Sequence, residues 1–196
     1  MRMARLALGS VALFVSSVAL AQTPPAAGDY YPMKPGAKWV YKVGETTITV
    51  KVAGADGDGT KLVTEVNGKE VASEVLQAKA DGLYRTKINT AAITPPVQIL
   101  KFTGGKVVKG DKWAVSSTVQ NSPIKGEFMI KDDAEKLKVQ GVDYTAVCVE
   151  GAEFDIAGTK TSVKQWFVPG KGVVKLMFNI QGSESVLELK ESTDGK

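Results

Sequence analysis

The residue types in this sequence exclude several kinds of chemistry. The chain has no histidine, which removes Ser-His-Asp and Cys-His nucleophilic catalysis and the zinc sites that use histidine. Carboxylate pairs, Ser-Lys pairs and tyrosine are the remaining acid–base groups, and none occurs at an informative spacing. We therefore predict no catalytic residue, no metal ligand and no cofactor, and ligand-binding residues cannot be assigned. A carboxylate-dependent enzyme is the alternative.

The chain contains a single cysteine, Cys148, so it cannot form an intramolecular disulfide. An unpaired cysteine in an exported protein can be a reactive thiol or an intermolecular link, and it can also be a small buried hydrophobe. Cys148 lies in the strand-like run 144–150, where no neighbouring Arg or Lys would lower its pKa. These neighbours favour the buried interpretation.

Two glycine-containing segments resemble ligand loops. Asp56 and Asp58 are two residues apart and could share a calcium ion, but a complete calcium loop needs a further oxygen ligand and a closing Glu that are missing here. Turn geometry alone explains the Gly and Asp content of a hairpin tip. The segment 104–110 lacks the Gly-Lys-Ser/Thr ending of a phosphate-binding loop. We predict turns at both places.

The aromatic residues offer two interpretations each. Trp39, Trp113 and Trp166 could line a ligand cavity, although tryptophans more often bury their large apolar area in a core. Tyr30 and Tyr31 could form a docking handle for a partner. We favour a lead-in segment in which the two tyrosines pack across the end of a sheet.

The N-terminus has the composition of a cleavable secretory signal peptide, residues 1–21. Arg2 and Arg5 precede an apolar run, and the segment 19–21 (ALA) provides a small-residue cleavage site. The run is shorter than the ~20 residues that span a membrane, and we predict no membrane span after cleavage. The Pro- and Ala-rich residues 22–28 predict a flexible leader. We expect a periplasmic or secreted protein.

The remaining length fits one domain with a hydrophobic core, residues 29–192, followed by a short tail, residues 193–196. The full chain carries a formal charge of +4, but the two signal arginines account for half of it. The other charges are interspersed, without the clustered basic stripe that nucleic-acid binding requires. We therefore predict no nucleic-acid partner.

Apolar and polar residues alternate along many segments of the chain. Such alternation is typical of antiparallel strands with one buried and one solvated face. Clear examples are the segments 47–52, 124–131 and 174–180, and turn signals such as Asn67-Gly68 separate the runs. We count roughly a dozen strands, including 71–80. The sequence predicts an all-β fold, a single antiparallel meander curled into a barrel or half-barrel, with a β-sandwich as the alternative.

Three segments in order resemble a set of exported bacterial β-rich proteins of unknown function. Residues 30–41 (YYPMKPGAKWVY) are similar to an opening motif of that set, YYPL-x-x-G-x-x-W-x-Y. Residues 135–149 resemble its middle segment, and residues 166–175 (WFVPGKGVVK) resemble its closing W-[YF]-x-P-G-x-G-x-V-K. The resemblance implies an exported domain with a strongly curved antiparallel sheet. It implies no reaction and no catalytic residues.

These observations favour a non-catalytic binding module that holds an apolar small molecule or an envelope protein in the concave face of its sheet. The alternative is a structural protein of the cell envelope without a small ligand, which would use sheet edges or the Tyr30-Tyr31 segment for contact. An open apolar cavity would favour the first hypothesis, and a filled core would favour the second.

Overall fold

The computed structural model describes residues 25–195, so the predicted signal peptide and residues 22–24 lie outside the described part. One 3₁₀ helix, η1, precedes twelve β-strands. Within the described residues, no helix has the length and apolar character that crossing a membrane would require. The elements are η1 (Ala27–Tyr30), β1 (Lys38–Val43), β2 (Thr46–Asp56), β3 (Gly59–Val66), β4 (Lys69–Lys79), β5 (Gly82–Ile88), β6 (Ala91–Lys101), β7 (Lys112–Val119), β8 (Ser122–Val139), β9 (Val142–Ile156), β10 (Thr159–Val168), β11 (Gly172–Ile180) and β12 (Ser183–Thr193).

The twelve strands form a closed antiparallel barrel in which each strand pairs with its neighbours in sequence, and β1 pairs with β12 to complete the ring. The β1–β12 register runs from Lys38 opposite Thr193 to Lys42 opposite Glu188. This confirms the all-β meander and the barrel, and the alternative of a β-sandwich is wrong. Closure pairs the first strand with the last, so the described barrel exposes no sheet edge between them.

The alternation in the sequence corresponds to the two faces of the barrel wall. Val50 on β2 pairs with Thr64 on β3, and both side chains line the interior. Phe178 and Ile180 on β11 also face inward. The predicted strand at 71–80 corresponds to β4, which ends one residue earlier, at Lys79.

Prolines interrupt the ladder on β6. Pro95 and Pro96 have no pairing partner on either side, because proline lacks the N–H that a ladder requires. The β6–β7 pairing is accordingly limited to Ile93 and Thr94. Trp113 on β7 bridges the gap, since its indole Nε1 donates a hydrogen bond of 2.8 Å to the carbonyl oxygen of Gln98.

The N-terminal segment closes one end of the barrel. Tyr30 packs edge-on against Phe102, with ring centroids 5.6 Å apart, and the amide of Gly170 donates to the carbonyl oxygen of Asp29 at 2.7 Å. Ala27 is also buried, so the last residues of the predicted leader 22–28 belong to η1. The result is a cup whose base is formed by residues that precede β1.

The β8–β9 hairpin folds back over the outside of the wall. Gln140 in its turn donates a 2.7 Å hydrogen bond to Glu188 on β12, although β10 and β11 lie between these strands. Val139 at the tip is fully buried. Cys148 on β9 pairs with Trp166 on β10, and both are buried as well.

Candidate functional site

The end of the barrel opposite η1 is open and apolar. Ile88, Ile156 and Ile180 are the last residues of β5, β9 and β11. Because odd-numbered strands of an antiparallel meander run in the same direction, these three residues lie on one rim. They are 37%, 41% and 45% exposed, which makes them three of the five most exposed large apolar residues in the described chain. Such a cluster of exposed apolar side chains is typical of a contact or entry site.

A chamber of about 260 Å³ lies beneath this rim, and we call it the outer chamber. It is larger than the ~150 Å³ apolar cavity that suffices to bind benzene. Its walls are mainly aliphatic and aromatic. The lining residues are Arg85, Ile88, Ile93, Val97, Ile124, Phe128, Phe154, Ile156, Thr161, Ser162, Val163, Gln165, Phe178 and Ile180.

A second chamber of about 170 Å³, the inner chamber, is lined by residues closer to the closed end. Arg85 and Gln165 line both chambers, so these two side chains form the boundary between them. The inner chamber is more polar. Its lining residues are Tyr31, Tyr41, Ile48, Val50, Thr64, Glu74, Leu76, Arg85, Ile99, Gln165, Val173, Leu176 and Leu187.

An ion pair lies inside the barrel at this boundary. The Nε of Arg85 donates to Oε2 of Glu74 at 2.5 Å, and the two side chains are 31% and 24% exposed. Among the described residues, this is the only hydrogen bond of the Arg85 side chain, so the N–H groups of its two Nη atoms are free to donate to a ligand. Gln165 is only 6% exposed and its amide makes no hydrogen bond within the described part of the chain. We call Glu74, Arg85 and Gln165 the polar belt.

Two tyrosines of the inner chamber remain uncharged. Burial raises the pKa of Tyr31 well above its usual range; Tyr41 and Glu74 raise it further, whereas Arg85 lowers it. Burial likewise raises the pKa of Tyr41, and the charge of Glu74 adds to the effect. The Tyr41 hydroxyl donates to the carbonyl oxygen of Val173 at 2.8 Å. The chambers therefore contain one positive and one negative side chain, which balance each other.

Two glycines shape one wall of the outer chamber. A Cβ atom at Gly126 on β8 would lie 2.8 Å from Cγ and Cδ1 of Phe154, and Gly151 on β9 also lies directly beneath this ring. Phe154 packs on Phe128, with centroids 4.7 Å apart. The absence of two Cβ atoms thus lets an aromatic ring lie flat against the wall and leaves the chamber open.

The structure places in the core the aromatic residues that the sequence analysis singled out. Trp39 and Trp166 are buried, Trp113 lies along the β6–β7 gap, and none of the three lines either chamber. Tyr30 and Tyr31 are buried at the closed end, 7% and 6% exposed. The lead-in interpretation is therefore correct. The docking handle is wrong, because both rings are buried and pack on Phe102 and Trp39.

The other residues singled out in the sequence have structural partners. Cys148 is buried; burial raises its pKa to about 12, and the nearby Glu135 adds to the shift. Asp56 ends β2 at the tip of the β2–β3 hairpin and accepts a hydrogen bond of 2.7 Å from Nζ of Lys87. Among residues 25–195, no group of three or more side chains is arranged to hold a metal ion.

Sequence reasoning did not single out the polar belt. A signal was present, because Gln165 alternates with Val163 and Phe167 and is therefore a polar residue on an apolar face. Glu74 similarly shares a face with Leu76. Each polar residue alone is ordinary, and only the closure of the barrel brings strands β4, β5 and β10 around one space.

Comparison with solved structures finds several similar proteins. A proposed exported protein with a YmcC-like fold from Bacteroides fragilis aligns with a TM-score of 0.51 and 12% identity, over 82% of this chain and 96% of that one. A proposed lipoprotein from Parabacteroides distasonis gives a TM-score of 0.49 and 13% identity, over 88% and 100% of the two chains. The hypothetical lipoprotein YmcC of Escherichia coli gives 0.39 and 11%, over 84% and 89%.

The similarity to the Bacteroides fragilis structure concerns the fold. No protein-family model matches the sequence, and no curated protein matches it either. The structural neighbours carry names that describe export or a lipoprotein character and state no catalytic activity. At 12% identity, the Bacteroides fragilis structure supports a common fold class and transfers no function.

Proposed function

We propose that this protein is an exported, non-catalytic binding module of the cell envelope that holds one acyl-chain amphiphile in its barrel. The observation that carries the proposal is the outer chamber, which is open at the rim, largely apolar in its lining and about 260 Å³ in volume. Ligand sites are commonly concave, mostly apolar and equipped with a few convergent polar groups. The outer chamber with the polar belt at its base has these properties.

The driving force would be removal of apolar surface from water. Each CH₂ group of an acyl chain that enters the chamber contributes about 0.8 kcal/mol. Entry past Ile88, Ile156 and Ile180 also covers apolar side chains that are otherwise in contact with solvent. A flexible chain can lie in the outer chamber between the rim and the polar belt, where a polar group of the same molecule meets Arg85 and Gln165.

The alternative, a structural envelope protein without a small ligand, has less support. Its two proposed contact features were sheet edges and the Tyr30-Tyr31 segment. The barrel closes through the β1–β12 pairing, and both tyrosines are buried. An interaction through the outer wall is left as the remaining form of this hypothesis.

Native mass spectrometry of the exported protein, purified from the envelope of its own host, tests the proposal directly. We expect a stoichiometric adduct that organic extraction releases as an acyl-chain lipid. A mass equal to that of the polypeptide alone, together with no thermal shift across a panel of lipids, would contradict it.

A cavity-filling variant tests where the ligand binds. Val163→Trp places an indole in the outer chamber, which Val163 lines, and we expect it to abolish the fluorescence increase of the apolar probe N-phenylnaphthylamine. Val71→Trp is the matched control, because Val71 is 57% exposed and lines neither chamber. Equal probe binding by the two variants would refute the assignment of this chamber.

A further inference from the structure

The charge and the hydrogen-bonding groups of the polar belt indicate which polar group a ligand would have. Arg85 and Glu74 pair with each other, so the belt has no net charge when both are ionised. The other polar residues that line the chambers, including Gln165, Tyr31 and Tyr41, are neutral. The site thus offers hydrogen-bond donors without an unbalanced positive charge.

Two groups in the belt have unused hydrogen-bonding capacity. Arg85 uses its Nε for Glu74, and its Nη groups make no hydrogen bond within the described residues. The amide of Gln165 also has no partner there, although the residue is 6% exposed. Both side chains line the outer chamber, so an acceptor atom supplied from within the chamber would accept hydrogen bonds from both.

The cost of removing a charged group from water favours an acceptor that is neutral. A carboxylate that enters the chamber leaves water and gains Arg85 as a partner, but Glu74 already neutralises this guanidinium and would repel the second anion. An unpaired charge in an apolar site is costly. An ester carbonyl accepts the same hydrogen bonds without adding a charge.

We propose that the polar belt selects acyl esters over free fatty acids, with the ester carbonyl accepting hydrogen bonds from Arg85 and Gln165 and the acyl chain extending toward the rim. This inference rests on the proposed function, since it specifies the ligand of the same chamber. It assigns Glu74 a specificity role: its negative charge balances Arg85 and so disfavours anionic head groups.

Displacement of N-phenylnaphthylamine by dodecanoate and by its glycerol monoester tests the inference in the unmodified protein. We expect the monoester to displace the probe at the lower concentration. If the probe binds and dodecanoate displaces it equally well or better, the inference is overturned while the proposed function stands. If neither the probe nor either amphiphile binds, the proposed function fails and the inference fails with it.

Glu74→Gln tests the role of the carboxylate with little change in shape. Removal of one charge leaves Arg85 unbalanced, and we expect the monoester-to-dodecanoate affinity ratio to shift toward dodecanoate by about tenfold or more. Asp56→Asn is the matched control, because it removes the acidic partner of Lys87 and neither residue lines a chamber. An unchanged ratio in Glu74→Gln, or an equal shift in Asp56→Asn, would overturn the assignment.

Discussion

Gly126→Ala tests the packing that keeps the outer chamber open. The added Cβ would lie 2.8 Å from two ring atoms of Phe154, whereas ordinary contacts begin at 3.4 Å. The ring must therefore move by roughly 0.6 Å or more, and Phe128, 4.7 Å away between centroids, restricts that movement. Overpacking of this kind typically costs about 1–3 kcal/mol. We expect the free energy of unfolding to fall by that amount.

Urea denaturation followed by tryptophan fluorescence measures this loss, and a thermal melt should show a decrease of about 2–4 °C in Tm for each kcal/mol in a domain of this size. Because the displaced ring of Phe154 would enter the outer chamber, we also expect weaker binding of N-phenylnaphthylamine. Both effects follow from one contact, so they should appear together.

Two control variants make the test specific. Gly28→Ala adds a Cβ that meets only Ala78, at 3.9 Å, and should change stability little. Phe154→Leu removes the ring, so Gly126→Ala should cost much less in a Phe154→Leu background, with a coupling energy of about 0.5–3 kcal/mol. The reasoning is refuted if Gly126→Ala is as stable as Gly28→Ala, or if its full cost persists without the ring.

Two further predictions concern buried side chains of the wall. Trp39→Phe should destabilise the protein by about 1 kcal/mol more than Trp166→Phe. The Trp39 indole donates a hydrogen bond of 2.7 Å to the carbonyl oxygen of Lys171, whereas the Trp166 indole nitrogen has no partner among the described residues. Urea denaturation measures both losses, and an equal or larger loss for Trp166→Phe would contradict this prediction. Burial raises the pKa of Cys148 to about 12, above the ordinary 9.0, so the native thiol should resist iodoacetamide at mildly alkaline pH and react once urea unfolds the chain. As the pH rises, the thiol ionises in the unfolded chain before it ionises in the folded protein. The stability that Cys148 contributes is therefore complete below pH 9 and declines from there to about pH 12. A Cys148→Ala variant should lack that part of the decline, and parallel stability curves for the two proteins would refute it.

The sequence alone was sufficient to predict the fold class, because the alternation of apolar and polar residues is visible within each short segment. Segments such as 47–52 and 174–180 alternate so regularly that a strand with one buried face is the natural prediction. The short turns between them imply neighbouring antiparallel strands, and many twisted strands in one meander tend to curl. The structure confirms these predictions with twelve strands in chain order.

Closure could not be derived from the pattern. Whether β1 pairs with β12 depends on the accumulated twist and register of twelve strands, including bulges such as the one between Val40 and Tyr41. A small difference at each step separates a half-barrel from a closed ring. This closure leaves no free edge at β1 and β12, which the alternative of an envelope contact through sheet edges would require.

The site was determined by tertiary structure for the same reason. Glu74, Arg85 and Gln165 belong to three strands, and Gln165 is 80 positions from Arg85 along the chain. Their sequence neighbours indicate only that each is a polar residue in a strand. The sequence predicts an export signal and a barrel-like sheet, and it excludes histidine chemistry, because these depend on local composition and period. The enclosed chamber and its balanced ion pair depend on which strands meet across the barrel, and only the folded chain decides that.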